Sequence, residues 1–168
     1  DQLGAPATWY CCDVLDTPHE LDGTADLVYT GRGALCWLQD LHTWAKVVYR
    51  LLKPGGVFHI LDDHPIMWLF DMDADVLVPS GSNYFTHSEC SQGWPETYIG
   101  ELSVPVAQQA VKYEHAWPLS TIFQAIQGAG LEIDYLGEHA EPYWDICPHL
   151  KPGLRATLPL TFSLRAHR

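Results

Sequence analysis

The sequence predicts an α/β protein built on an open sheet, mainly parallel, with an antiparallel last strand. Three observations carry this. Residues 25–30 (ADLVYT) form a short continuous apolar run, the pattern of a buried strand. An apolar stripe at helical spacing follows and stops at Lys53-Pro54-Gly55-Gly56, where a second run at 57–61 (VFHIL) begins. Near the end, Leu158, Leu160, Phe162, Leu164 and Ala166 alternate with Pro159, Thr161, Ser163 and Arg165, the period of a strand with unlike faces suited to an antiparallel edge region.

The elements follow in order. Leu3-Gly4-Ala5-Pro6 reads as the end of a helix, with Gly past the stop and Pro beyond. Residues 8–14 (TWYCCDV) read as a buried strand ending in an acid, and 16–24 are rich in turn formers. After the strand at 25–30, Gly31 and Gly33 loosen a loop and Asp40 caps a helix. Leu41, Trp44, Val48, Leu51 and Leu52 form its apolar stripe, and Lys53 sits at the negative end of the helix dipole. Residues 66–116 lack a steady period and mix Pro and Gly with aromatics, the composition of a lid or substrate insertion, taken as 66–117, rather than of disorder. A second helix is expected over 118–129 with Leu119, Ile122, Phe123 and Ile126 inward, then a strand over 131–136 and a Pro-rich loop holding Tyr143 and Trp144. No repeat or linker divides residues 1–168, so a single domain is expected.

Composition narrows the function classes. Nine Lys+Arg against 21 Asp+Glu give a formal charge of −12, which repels phosphate backbones and argues against nucleic acid. Nothing approaches the run of about 20 apolar residues that a membrane helix needs. The five cysteines, Cys11, Cys12, Cys36, Cys90 and Cys147, contain no C-x-x-C pair and point to a reducing cytoplasm rather than a disulfide or zinc framework. Asp62, Asp63 and His64 close the strand at 57–61. They suit an acid–base group, a helix-capping turn or a divalent-metal group, but no spaced partner motif supports metal and none is assigned.

The block Leu51-Leu52-Lys53-Pro54-Gly55-Gly56 before a strand resembles class I S-adenosylmethionine-dependent methyltransferases, a Rossmann-like fold. Tyr29-Thr30-Gly31, Gly33-Ala34-Leu35-Cys36-Trp37-Leu38 and the ending Leu158-Pro159-Leu160-Thr161-Phe162-Ser163-Leu164-Arg165-Ala166 are similar to a bacterial small-molecule branch. The resemblance implies methyl transfer from S-adenosylmethionine to a small-molecule acceptor. It implies cofactor contacts at Cys12, Asp13, Val14, Tyr29, Thr30, Gly31, Leu35 and Cys36, with Asp13 accepting from the adenine amino group and Val14 packing on the ring. His64 and Tyr29 are the implied catalytic residues. His64, Trp68, Tyr98, His115, Trp117 and Tyr143 are the implied acceptor contacts. The branch often carries Trp-x-His-Pro-Leu-Ser, whereas here His115-Ala116-Trp117-Pro118-Leu119-Ser120 exchanges the aromatic and the imidazole.

The glycine-rich loop that cradles the cofactor's amino-acid portion has no counterpart here, because no glycine cluster follows a first strand. By resemblance, residues 8–14 are a third strand. The expectation is a C-terminal part of a longer fold, with roughly two βα units of about 30 residues each preceding it. Such a chain alone is expected to bind cofactor weakly, to be inactive in methyl transfer by itself, and to leave one side of the strand at 25–30 open. The alternative is a non-catalytic α/β module that self-associates, as a homodimer, through that edge.

Overall fold

Ala25–Gly31 forms strand β1 and Leu52–Asp63 forms β2, joined by helix α1 over Leu41–Leu51. The computed structural model describes residue 4 and residues 6–86, 88–94, 100 and 103–168. Further along lie β3 (Ser88–Gln92), β4 (Val111–His115), α2 (Leu119–Gly128), β5 (Glu132–His139), the short α3 (Pro152–Arg155) and β6 (Thr161–His167). The main sheet runs β1-β2-β6-β5, and β3 with β4 makes a separate two-stranded sheet. The β1–β2 pairing is parallel, while β2–β6 and β6–β5 are antiparallel. The α/β class and the antiparallel last strand are therefore present, but the sheet of the described residues is mixed rather than mainly parallel.

Helix α1 starts where the sequence says it should. The Asp40 side chain accepts from Thr43 N–H at 2.9 Å and from the Thr43 hydroxyl at 2.6 Å, satisfying a donor that no helical carbonyl reaches. It ends at Leu51, and the chain reverses through Gly55 at φ 78°, where a side chain would strain the backbone. Lys53 leaves the helix axis and pairs with Asp26 of β1, Nζ lying 2.8 Å from both carboxylate oxygens. The buried stripe is Leu41, Trp44, Ala45, Val47 and Val48. It packs with Ile122, Ala125 and Ile126 of α2 against Phe58, Ile60, Phe162 and Leu164 of the sheet. Trp44 meets Phe58 edge-on at 5.6 Å. Each such large side chain contributes about 2 kcal/mol on full burial, so this one-sided helix layer is the principal core. A smaller cluster of Met67, Ile146, Cys147, Leu150 and Leu160 lies apart from it.

Three expectations are corrected. Residues 8–14 do not form a strand: the segment is irregular up to a 3-10 turn at Val14–Asp16, Trp9 is 90% exposed, and Cys11 and Cys12 are exposed rather than buried. The reason is pairing. An extended segment becomes a strand only when its N–H and C=O groups meet a neighbour's, and none of the described strands lies beside it. The last strand does not have unlike faces. Thr161, Phe162, Ser163 and Leu164 are all buried: Phe162 and Leu164 face the helix-side core, while on the other face the Thr161 hydroxyl donates to the Glu141 carbonyl and Ser163 hydrogen-bonds His139. Finally, residues 66–117 are not uniformly irregular, since β3 and β4 pair antiparallel within them and a 3-10 turn spans Pro65–Leu69.

Candidate functional site

The site is built on the carboxyl ends of β1 and β2. Gly31, an implied cofactor contact, closes β1. Its structural task is to admit β2: a Cβ added to Gly31 would sit 2.1 Å from the Leu61 carbonyl oxygen. Arg32 N–H donates to that same oxygen at 2.8 Å, continuing the ladder one residue past the strand. The loop that follows hangs on one carboxylate. Asp62, buried at the end of β2, accepts from Gly33 N–H (2.7 Å), Ala34 N–H (3.1 Å), Leu35 N–H (3.0 Å), Asp63 N–H (2.8 Å) and the Tyr143 hydroxyl (3.1 Å). Three of these donors open the 3-10 turn Leu35–Trp37, so Asp62 acts as its cap from across the sheet.

Beside this loop lies a cleft of about 580 Å³. Met67, Met72, Ile146, Trp68 and Trp144 give it an apolar wall, and Cys36, Asp63 and Tyr143 bring polar atoms to it. Asp63 accepts from Trp144 Nε1 at 3.1 and 3.3 Å. Burial raises the Asp63 carboxyl above its usual range, with the Tyr143 and Trp144 donors opposing and the neighbouring Asp62 charge adding to the rise. Burial, then Asp62, pushes the Tyr143 hydroxyl upward, so it stays a donor. Burial and the acids Asp62, Glu114 and Asp63 push the Cys36 thiol up to about 12, which makes it a neutral lining group and not a nucleophile. A smaller hollow of about 40 Å³ adjoins the cleft and is lined by Leu35, Cys36, Asp62, Asp63, Trp68, His115 and Trp117 among others.

The structure thus brings Cys36, Trp68 and Tyr143 into the cleft and Leu35, His115 and Trp117 into the adjoining hollow. His115 and Trp117 are tied down: their rings lie 5.0 Å apart, His115 Nε2 is 2.6 Å from Gln39 Oε1, and Trp117 Nε1 donates to the Leu38 carbonyl at 3.0 Å. Neither His64 nor Tyr29 lines the cleft. His64 is buried, and its Nδ1 accepts from Ile66 N–H at 3.1 Å. The ring proton therefore sits on Nε2, which donates to Glu138 Oε1 at 3.0 Å. Burial lowers the His64 pKa, with Glu138 opposing, so both nitrogens of a neutral ring are in use. Tyr29 is 49% exposed on the sheet face away from the helices and stacks on His59 at 5.9 Å. Thr30 and Gly31 stand at the strand end. Asp13 Oδ1 accepts from Leu15 N–H at 2.9 Å, capping the turn that carries the exposed Val14, and Cys12 beside it is exposed. Tyr98 lies outside the described residues. Sequence reasoning missed Met67, Met72, Trp144 and Ile146 as cleft residues; a Met-and-Trp pairing in the two loops was the only available signal.

Comparison with known proteins places this architecture. Residues 1–60 match the methyltransferase domain family. No curated protein matches the chain in sequence. Among solved structures it is similar to an S-adenosylmethionine dependent methyltransferase from Mesorhizobium loti, at 19% identity and TM-score 0.56, covering 99% of this chain and 74% of that one. A second, from Clostridium acetobutylicum, shares 13% identity at TM-score 0.57, covering 99% and 66%. A third is the geranyl diphosphate C-methyltransferase of Streptomyces coelicolor, at 16% identity and TM-score 0.52, covering 95% and 52%, and crystallised with Mg2+, geranyl diphosphate and S-adenosyl-L-homocysteine. Each of these is a likeness of fold, and the chain has the α/β fold of the S-adenosylmethionine-dependent methyltransferases.

Proposed function

We propose that this protein transfers a methyl group from S-adenosylmethionine to a small-molecule acceptor held in the cleft beside Asp63, Trp68 and Tyr143. The observation that carries the reading is the cleft's position. It opens at the carboxyl ends of β1 and β2, where ligands of open α/β sheets bind. The cofactor supplies a methyl group already activated on a sulfonium, so the chain needs no strong acid or nucleophile, consistent with a Cys36 thiol held neutral. The chain's own task is to position the acceptor and exclude water. Tyr143, whose hydroxyl donates its proton to Asp62, presents its oxygen lone pair and Asp63 its carboxylate to orient it, while Met67, Trp68 and Trp144 supply apolar contact.

The donor set fits the cofactor in part. Asp13 spends one oxygen on its cap and is exposed, which suits an acceptor for the adenine amino group, and Val14 beside it offers apolar surface. Cys12, Tyr29, Thr30, Gly31, Leu35 and Cys36 complete the proposed cofactor contacts. His64 is assigned to holding the end of β2 against β5 through Glu138 rather than to proton transfer. Among the described residues, every strand end lacks a glycine-rich turn of the kind that would cradle an amino-acid portion. These 168 residues are accordingly expected to hold S-adenosylmethionine weakly. Five cysteines with no C-x-x-C pair fit a reducing compartment, the cytoplasm. Incubation with methyl-labelled S-adenosylmethionine and a mixed small-molecule extract tests the reading. At low cofactor concentration no transfer is expected from these residues alone; at concentrations that fill the weak site, label is expected in the small-molecule fraction and lost on Tyr143→Phe with Trp144→Ala. No transfer at any cofactor concentration overturns it.

One observation favours a second reading, self-association. In the described sheet β1 pairs on one side only, and Leu27 (60%) and Tyr29 are exposed on it. Light scattering coupled to size-exclusion chromatography decides between them: a dimer lost on Leu27→Lys supports pairing, and a monomer at high concentration removes it.

A further inference from the structure

The cleft lining carries charge of both signs, two cations and the acids Asp63 and Glu114. Each cation stands on an aromatic face. The Arg32 guanidinium lies 5.7 Å from the centre of the Tyr143 ring. Lys112 Nζ lies 4.3 Å from the Trp94 ring and 6.0 Å from Trp37. Both side chains line the cleft. Cation–π contact holds a cation in place without cancelling its charge. Among the described residues, the ion pairs use Arg50, Lys53, Arg155, Arg165 and three histidines, and neither Arg32 nor Lys112 has a carboxylate within 4.0 Å. The two acids in the cleft differ: Asp63 is engaged by Trp144, and Glu114 has interactions of its own.

The backbone at Arg32 adds an independent observation. Arg32 sits at φ 62°, in the left-handed region, between Gly31 and Gly33. Glycine adopts that conformation without penalty, whereas a side chain there costs of order 1 kcal/mol. Arg32 thus holds a conformation that favours glycine, and from it the side chain lines the cleft.

We propose that Arg32 and Lys112 form an oxyanion-binding rim, so that the acceptor is an amphipathic anion: an apolar body against Met67, Met72, Trp68 and Ile146, and a carboxylate or phosphate group at the two cations. Arg offers the planar donor fork and Lys the point charge that such a group accepts. The word "acceptor" rests on the methyl-transfer reading, but the binding chemistry does not. The test therefore omits S-adenosylmethionine and separates the two.

The experiment is calorimetric titration of the 168-residue chain with four probes sharing one ring: 1-naphthoate, 1-naphthyl phosphate, the neutral 1-naphthamide and the cationic 1-naphthylmethylamine. At least one anion is expected to bind about tenfold or more tighter than the amide, the ammonium to bind weakest, and the anion preference to shrink as salt is raised. The ranking of the two anions identifies a carboxylate or a phosphate acceptor. Arg32→Gly fits the left-handed backbone, and Lys112→Met keeps the apolar stem on Trp94; together they are expected to bring the anion and amide affinities within about twofold. Amide or ammonium binding as tight as both anions overturns the proposal in the unmutated protein. So does a preference that survives both substitutions, or failure of both anions to bind at their solubility limit.

Discussion

Asp62 is the residue on which the site depends most. Its carboxylate satisfies the opening donors of the loop after β1 and the Tyr143 hydroxyl at once. Asp62→Ala leaves three loop N–H groups without their acceptor, a change expected to destabilise the protein by roughly 3 kcal/mol or more and to loosen the cleft. Denaturant unfolding measures the first and Trp fluorescence the second. Gly31→Ala is expected to cost about 1–3 kcal/mol, because the new methyl group meets the Leu61 carbonyl, a backbone atom that cannot move aside. An alanine protein with unchanged midpoint would show that β1 and β2 are less closely held than described. At Cys36 the elevated thiol pKa, about 12, predicts slow alkylation. In timed iodoacetamide labelling read by mass spectrometry, the exposed Cys11, Cys12 and Cys90 should react first and Cys36 well after them.

At the scale of elements, the parts legible in the sequence are those defined by local chemistry. Helix α1 announces itself through the Asp40 cap, the stripe from Leu41 to Val48 and the Pro54-Gly55-Gly56 stop, and it forms within those bounds. Strand β2 was visible as an apolar run and α2 as a stripe ended by glycine. What depends on partners was not legible. Residues 8–14 have the composition of a strand, but composition supplies no neighbour to accept their hydrogen bonds. The alternation in β6 suggested a half-exposed strand, yet Thr161 and Ser163 on its polar face are buried as well, against Glu141 and His139. In the site, Cys36, Trp68 and Tyr143 were named from the sequence. The cap joining Asp62 to Gly33, Ala34 and Leu35 was not, because it spans 27 to 29 residues and leaves no local signature. Trp44→Ala is expected to cost about 3–5 kcal/mol, since Trp44 joins α1 to Phe58 in the principal core. Thermal unfolding followed by circular dichroism checks this.

At the scale of the whole molecule, pH couples the site to stability. His64 is neutral in the fold and its pKa is lowered. Its contribution to stability is present above the ordinary histidine value of about 6.5 and is lost as pH falls toward the folded value, at up to about 1.4 kcal/mol per pH unit. Asp63 acts with the opposite sign. Its folded pKa lies above 3.8, so the fold takes up that proton first and gains relative stability as pH falls through the raised value. Unfolding free energies measured across this range should therefore fall below pH about 6.5 and fall less steeply in His64→Gln. An unchanged slope would show that His64 is not held neutral.

The central claim is that the carboxyl ends of β1 and β2 form a methyl-transfer site. Amide chemical-shift mapping by NMR, with S-adenosylmethionine titrated into the isotopically labelled chain, tests it most directly. Fast-exchange, weak-binding shifts are expected at Asp13, Val14, Thr30, Gly31 and Cys36, with the far end of β5 unmoved. Shifts confined to other surfaces, or none at saturating cofactor, would contradict it.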